Sequence, residues 1–162
     1  MTLLVKRRDT GDNLHNRGLV SMEKESLRIL VIDPDPSIQP IVQGSLRRSG
    51  LPAVLRFITA TDGIAARLKP GQFDVILSEH KPPAVNLLRT LHLFRELNLE
   101  IPIILLTHEG DFRMVREAFK SGISDCLLKE ELEAVSLFDV VTSVLETNRA
   151  RQETRDWTRR LQ

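Results

Sequence analysis

The segment FDVILSEHKPP, Phe73 to Pro83, reads as a strand that leaves its sheet and stops. Three consecutive apolar residues, Val75 to Leu77, suit a strand covered on both faces, and the prolines at 82 and 83 prevent the ladder from continuing. Glu79 therefore stands where the strand emerges. A strand buried on both sides needs parallel neighbours and helices above and below it, so the same pattern is expected elsewhere in the chain.

Four more such runs occur: LRILVI (27–32), VLRFITA (54–60), IPIILLT (101–107) and DCLLK (125–129), with DVILS (74–78) between them. Segments of helical period lie between and after the strands: Ser37 to Ser49, Gly63 to Lys69, Val85 to Leu97, Asp111 to Ser121, and a long one from about Glu130. Ile38, Ile41, Val42 and Leu46 keep the spacing of one buried helical stripe. Gly50, Gly71 and Gly122 stand where helices should stop in left-handed caps. The expected fold is α/β, a (βα)5 doubly wound parallel five-stranded sheet with an extended C-terminal helix.

A chain of 162 residues, 41% of them apolar, accommodates one domain with a true core. Lys+Arg 23 against Asp+Glu 22 gives no field that would by itself call for nucleic acid or an anionic membrane, so neither partner is expected. The lone cysteine, Cys126, excludes an internal disulfide, and no apolar run approaches the length of a spanning helix. A cytoplasmic location is expected. Residues 1–26 show neither period and read as a disordered leader, with Met1 or Met22 as the native start. Residues 27–146 form the domain, and 147–162 a helical extension or linker.

In a doubly wound sheet, function gathers outside the carboxyl ends of the strands. Asp33, Pro34 and Asp35 follow the first strand, Glu79 the third, Thr107 and His108 the fourth, and Lys129 the fifth. Converging carboxylates repel unless a cation neutralises them, so Asp33, Asp35 and Glu79 suit Mg²⁺, while Thr107 and Lys129 suit phosphoryl oxygens. Taken singly, each reads better as a helix cap or a surface ion-pair partner; Asp33, Glu79, Thr107 and Lys129 arriving together at successive strand ends favour a functional site. His80 and His108 lack the spacing of a metal pair and read as surface residues; Cys126 reads as a small buried hydrophobe.

From about Leu27 to Glu146 the chain resembles the receiver domain of bacterial two-component response regulators. ILVIDPDPS is similar to the first strand and its acidic pair, ATDGIAARL to the second loop and helix, ILLTHEGD to the strand that carries a Thr, and SGISDCLLK to the segment that ends in a Lys. The resemblance implies that Glu79 stands at the phosphoacceptor position and Asp33 and Asp35 at a vestigial acidic site. It also places Thr107 and Lys129 at phosphoryl-contact positions and Cys126 at the switch position.

The departures point away from phosphoryl transfer. Glu79 replaces the acceptor Asp, and its extra methylene displaces the carboxylate from in-line geometry. Pro34 replaces the second of two adjacent acids, Cys126 the switch aromatic, and Glu130 the Pro after the Lys. HKPPAVNLL replaces a Gly-containing loop. A pseudo-receiver is implied: no enzyme, no cofactor, and Mg²⁺ only if the domain is instead an active phospho-receiver with an atypical acid. A metal-dependent phosphatase-like enzyme ranks last, since no Gly-rich phosphate loop is present. Glu79 either reaches Lys129 or Thr107 and imitates an activated state, or is an inert polar end; the second is preferred because the switch aromatic is absent as well.

The last helix is expected to dock through Leu132, Val135, Phe138, Val141, Val144 and Leu145, then to become polar nearly all round, with Trp157 and Leu161 as its large apolar residues. Arg149, Arg151, Arg155, Arg159 and Arg160 read as a solvated face rather than as phosphate contacts. The segment after Asp125 also resembles receivers placed ahead of sensory and cyclic-di-GMP modules. Expected partners are a signalling protein or a downstream sensory, GGDEF or EAL-type module, and a homodimer, met through Met114, Val115, Ala118, Phe119 and Trp157.

Overall fold

The computed structural model describes residues 26–50 and 52–162; the expected leader and the choice between Met1 and Met22 lie outside the described residues. Five strands form one parallel sheet: β1 (Leu27–Ile32), β2 (Ala53–Ile58), β3 (Val75–Ser78), β4 (Ile103–Thr107) and β5 (Asp125–Leu128), in the order β2-β1-β3-β4-β5. The helices are α1 (Ile38–Arg48), α2 (Ile64–Arg67), α3 (Leu87–Glu96), α4 (Phe112–Ser121) and α5 (Leu137–Arg160). No described helix is long and apolar enough to cross a membrane.

The three central strands are apolar because both of their faces are covered. Ile29, Val31, Val75, Leu77, Ile104 and Leu106 join α1 and α5 in one core. Leu30, Ile32, Ile76, Ile103 and Leu105 join α3 and α4 in the other. Parallel register sets Ile32 opposite Ser78 and Thr107 opposite Leu128, so the carboxyl ends of the strands arrive at one level. The order of connection reverses between β1 and β3, which is where a doubly wound sheet opens a crevice.

Three elements differ from the sequence reading. α2 has only four residues, because Leu68, at its C-cap, turns extended and Pro70 prevents propagation; Val54 on the edge strand is left 59% exposed. The last helix begins at Leu137, not near Glu130: Lys129–Glu131 form a 3₁₀ turn, and Ser136 accepts a hydrogen bond from Asp139 N as the N-cap. Leu132 is still buried, from the loop before the helix. Ala118 belongs to the core and has no exposed surface, while Met114 and Val115 pack against that core; on this helix only Phe119, of the four residues expected at a partner surface, is substantially exposed, at 48%. Gly122 ends α4 at φ 110 in the left-handed cap that its position predicted.

Candidate functional site

β1 delivers Asp33 into the crevice. Its backbone N–H still donates to Ile58 O at 3.0 Å, and its Oδ1 accepts from Asp35 N at 2.8 Å, which closes an Asx turn around Pro34. Asp35 repeats the motif: its Oδ1 accepts from Ser37 N at 2.9 Å ahead of α1. That backbone hydrogen bond holds its carboxyl below the usual range, and the side chain is exposed rather than aimed at the crevice. The acidic site thus contains Asp33 without Asp35.

β3 delivers Glu79, 7% exposed, its N–H donating to Ile32 O at 2.9 Å. Its Oε1 accepts from His80 N at 3.0 Å. From the far side of β4, Lys129 leaves β5 and brings Nζ to 2.6 Å from Glu79 Oε2 and 2.6 Å from Asp33 Oδ2. Asp33 Oδ2 is buried and has no partner at hydrogen-bond angles, so the charge of the ammonium is what compensates it. Burial disfavours charge on Lys129, but the adjacent carboxylates of Asp33 and Glu79 outweigh it and raise its pKa. One lysine therefore joins the ends of β1, β3 and β5. Glu79 is not the free polar end preferred on sequence grounds.

Thr107 ends β4 with 4% exposure, and among the described residues its hydroxyl makes no hydrogen bond to this cluster. Cys126 is partly buried; burial and then the charge of Asp125 push its thiol up to about 11, which leaves it protonated and unreactive at neutral pH.

One pair was not foreseen. His108 Nδ1 lies 2.7 Å from Glu130 Oε1, tying the loop after β4 to the turn after β5 just above Lys129. Glu130 is held below the usual carboxylate range, chiefly by that hydrogen bond. The signal was available in the spacing: residues that follow Thr107 and Lys129 become neighbours once β4 and β5 are in register. Both side chains are exposed, so the pair contributes little to stability.

His80 has a structural role. Its Nδ1 accepts from Leu87 N at 3.1 Å, and Asn86 accepts from Arg89 N at 3.1 Å, so two side chains satisfy the first turn of α3. Acceptance at Nδ1 requires the neutral ring, and burial lowers the pKa of His80. In the window between this lowered value and about 6.5 the unfolded chain binds the extra proton, so stability is lost as pH falls into it. Urea unfolding at pH 7.5 and 5.5 is expected to show a smaller acid-side loss in His80→Gln than in the wild type; equal losses would exclude this histidine as a source.

A cleft of about 570 Å³ opens at the opposite end of the sheet, lined by residues such as Phe73, Leu99, Ile101 and Leu145. None of the cluster residues lines it, and its position at the amino ends of the strands separates it from the chemistry considered above.

The family model for the response regulator receiver domain matches residues 29–141, well over half of the chain. The C4-dicarboxylate transport transcriptional regulatory protein DctD of Pseudomonas aeruginosa is 28% identical over 129 residues, which is 79% of this chain and 27% of that protein. The transcriptional regulatory protein ZraR of Klebsiella oxytoca is 31% identical over 110 residues, 67% of this chain and 24% of that one. The chain thus spans about a quarter of the length of these curated relatives. Among solved structures, the chemotaxis response regulator CheY4 of Vibrio cholerae aligns with TM-score 0.58 and 21% identity, covering 74% of this chain and 99% of that chain. The signal receiver domain of an HD domain-containing protein from Pseudomonas fluorescens aligns with TM-score 0.63 and 22% identity, covering 86% and 98%. These likenesses carry the fold, and the family match carries the kinship: the chain belongs to the response regulator receiver domain family of two-component signalling.

Proposed function

We propose that this receiver domain works without phosphoryl transfer, as a protein-protein interaction or dimerisation module whose acidic site is closed by its own lysine. The observation that carries this reading is the position of Lys129 Nζ, 2.6 Å from both Asp33 and Glu79. In a site built for Mg²⁺ the carboxylates face the ion with open oxygens. Here Asp33 Oδ1 is engaged by Asp35 N, Glu79 Oε1 by His80 N, and the remaining oxygen of each by the ammonium. Pro34 offers no side-chain donor and Asp35 serves the start of α1, so the residues present do not fit the ion that the family's chemistry uses.

The cluster makes the strand ends into one braced unit and leaves the exposed helices as the working surface. We read the partner as a protein, either a signalling protein or a sensory or cyclic-di-GMP-related module downstream, and the location as cytoplasmic. DctD and ZraR are named as transcriptional regulatory proteins, and the share of them that this chain spans suits a regulatory part of a larger assembly. The large exposed apolar residues on α4 are Phe112, 79% exposed, and Phe119, with Trp157 further along α5.

The test is an amide NMR titration of the wild-type chain with Mg²⁺ and beryllofluoride. No shifts are expected at Thr107 or Lys129. Saturable shifts at both would replace this reading with that of an active phospho-receiver with an atypical acid.

A further inference from the structure

The loop between α3 and β4 and the long α5 enclose a second cleft, of about 300 Å³, at the amino ends of the strands. Its floor is apolar: Leu91, Phe94 and Ile103 are buried, and Leu99 and Ile101 are partly so. Its rim is cationic. Arg95 comes from the last turn of α3, and Arg151 and Arg155 come from α5; among the described residues Glu100 is the one acid that lines it.

The charges on that rim do not balance. Arg155 NH1 lies 2.7 Å from Glu100 Oε1, and Gln152 Nε2 contacts Oε2 at 3.4 Å, so both oxygens of the cleft's own carboxylate are engaged. Arg95 NH2 donates to Ser121 O at 2.8 Å, a bond from α3 to the end of α4, and meets no carboxylate among the described residues. The Arg151 side chain has neither an ion pair nor a hydrogen bond among them. Helical spacing offers it no acid: three and four residues away stand Thr147, Asn148, Thr154 and Arg155, and the last of these repels it. Arg149, which does not line this cleft, has Glu153 at i+4, with Nε to Oε1 at 3.2 Å. The helix therefore carries a counter-charge beside Arg149 and none beside Arg151.

An apolar floor under unpaired guanidinium selects a ligand of both characters. A bare inorganic anion would leave Leu99 and Ile101 facing water, and a neutral hydrocarbon would leave Arg151 unpaired. Guanidinium forks match a planar carboxylate with paired N–H donors. The cavity volume stands at the lower end of the range for small-ligand sites. Glu100 and Gln152 line both this cleft and the larger one beside it, and their contact stands between the two, so no continuous groove for an extended peptide is formed. The walls are set before a ligand arrives. Asn98 holds φ 52, a left-handed conformation that asparagine tolerates, and Leu99 N donates to Phe94 O at 2.8 Å, which turns the chain from α3 into the loop.

We propose that this cleft binds a small organic anion, a carboxylate on an apolar body, with Arg95 and Arg151 at the carboxylate and Leu99 and Ile101 at the body. The site lies at the opposite edge of the sheet from Asp33, Glu79 and Lys129, so it goes beyond the interaction-module reading and does not depend on it. A ligand held by Arg151 and Arg95 ties α5 to α3, beside the tie that Arg155 already makes to Glu100.

The probe is phenylacetate, titrated into the full chain and followed by amide NMR. Saturable shifts are expected at Leu99, Gly122, Ser124 and Asn148. Acetate has the charge without the body, and phenethylammonium the body with the opposite charge; each should bind at least about tenfold more weakly. Arg151→Glu should weaken phenylacetate at least about tenfold, whereas Arg113→Glu, the same charge change on exposed α4, should leave it unchanged. Both side chains are exposed and the fold does not need either, so a loss at Arg151 alone isolates the cleft. No saturable shift at these amides with phenylacetate, hexanoate or octanoate up to about 10 mM would overturn the site. An equal response to acetate would overturn its apolar half, and equal losses from the two charge reversals would reduce it to the general charge of the surface. All three outcomes are separate from the Mg²⁺ titration, which reads the other edge of the sheet.

Discussion

Lys129→Met is expected to cost about 3 kcal/mol of stability, a fall of roughly 10 °C in Tm, measured by calorimetry at neutral pH. The loss does not measure the worth of the ion pairs. It comes from what remains: Asp33 and Glu79, with side chains 1% and 9% exposed, left facing each other without a cation. Removing one partner of a buried ionic cluster strands the others, whereas removing the whole cluster is often close to neutral. One further measurement therefore belongs to this prediction. Asp33→Asn with Glu79→Gln in the Lys129→Met background should recover most of the loss. A single-variant cost below about 1 kcal/mol would show a surface-like pair and remove the brace from the account.

The second large effect is a gain. Glu79→Asp withdraws the carboxylate by one methylene, and Pro34→Asp supplies a second acid beside Asp33. With both changes Lys129 no longer satisfies every carboxylate, so Mg²⁺ with beryllofluoride should produce saturable amide shifts at Thr107 and Lys129 where the wild type gives none. Glu79→Asp alone should bind at least about tenfold more weakly than the double variant, because divalent affinity follows the number of charged ligands. If the single variant matches the double, Glu79 alone disables the site and Pro34 is incidental. If neither responds, the remaining changes around the strand ends have removed the site itself.

The parts of the molecule legible in the sequence are those that depend on local pattern. Val75 to Leu77 and Ile103 to Leu106 read as buried strands, and the Thr147 to Leu161 stretch as a solvated helix. Asp33, Glu79, Thr107 and Lys129 were recognisable because each ends a strand, and parallel strands bring their carboxyl ends to one edge. The misplacements came from competition between local and tertiary terms. Helical period extended the second helix to Lys69, yet an extended Leu68 and Pro70 stop it at Arg67. Helix-forming residues after Lys129 gave way to a 3₁₀ turn because Ser136 supplies the cap that the earlier residues lack. Ala118 was assigned to a partner surface with Met114, Val115 and Phe119 by analogy with the family; which side of α4 meets the sheet depends on packing, and that places Ala118 in the core.

The sequence by itself determined the class of fold, the set of residues that close its functional edge and the loss of the adjacent second acid. The tertiary structure alone decided what those residues do. A lysine just past β5 can meet acids just past β1 and β3 only because the strand order sets β4, with its short Thr107, between β3 and β5, and the length of the lysine arm then spans the gap. Asp35 is excluded from the same cluster by an Asx turn that no residue count reveals. Charge and hydropathy are properties of residues, but the pairing of a buried charge depends on distance and direction, and these exist only in the folded chain.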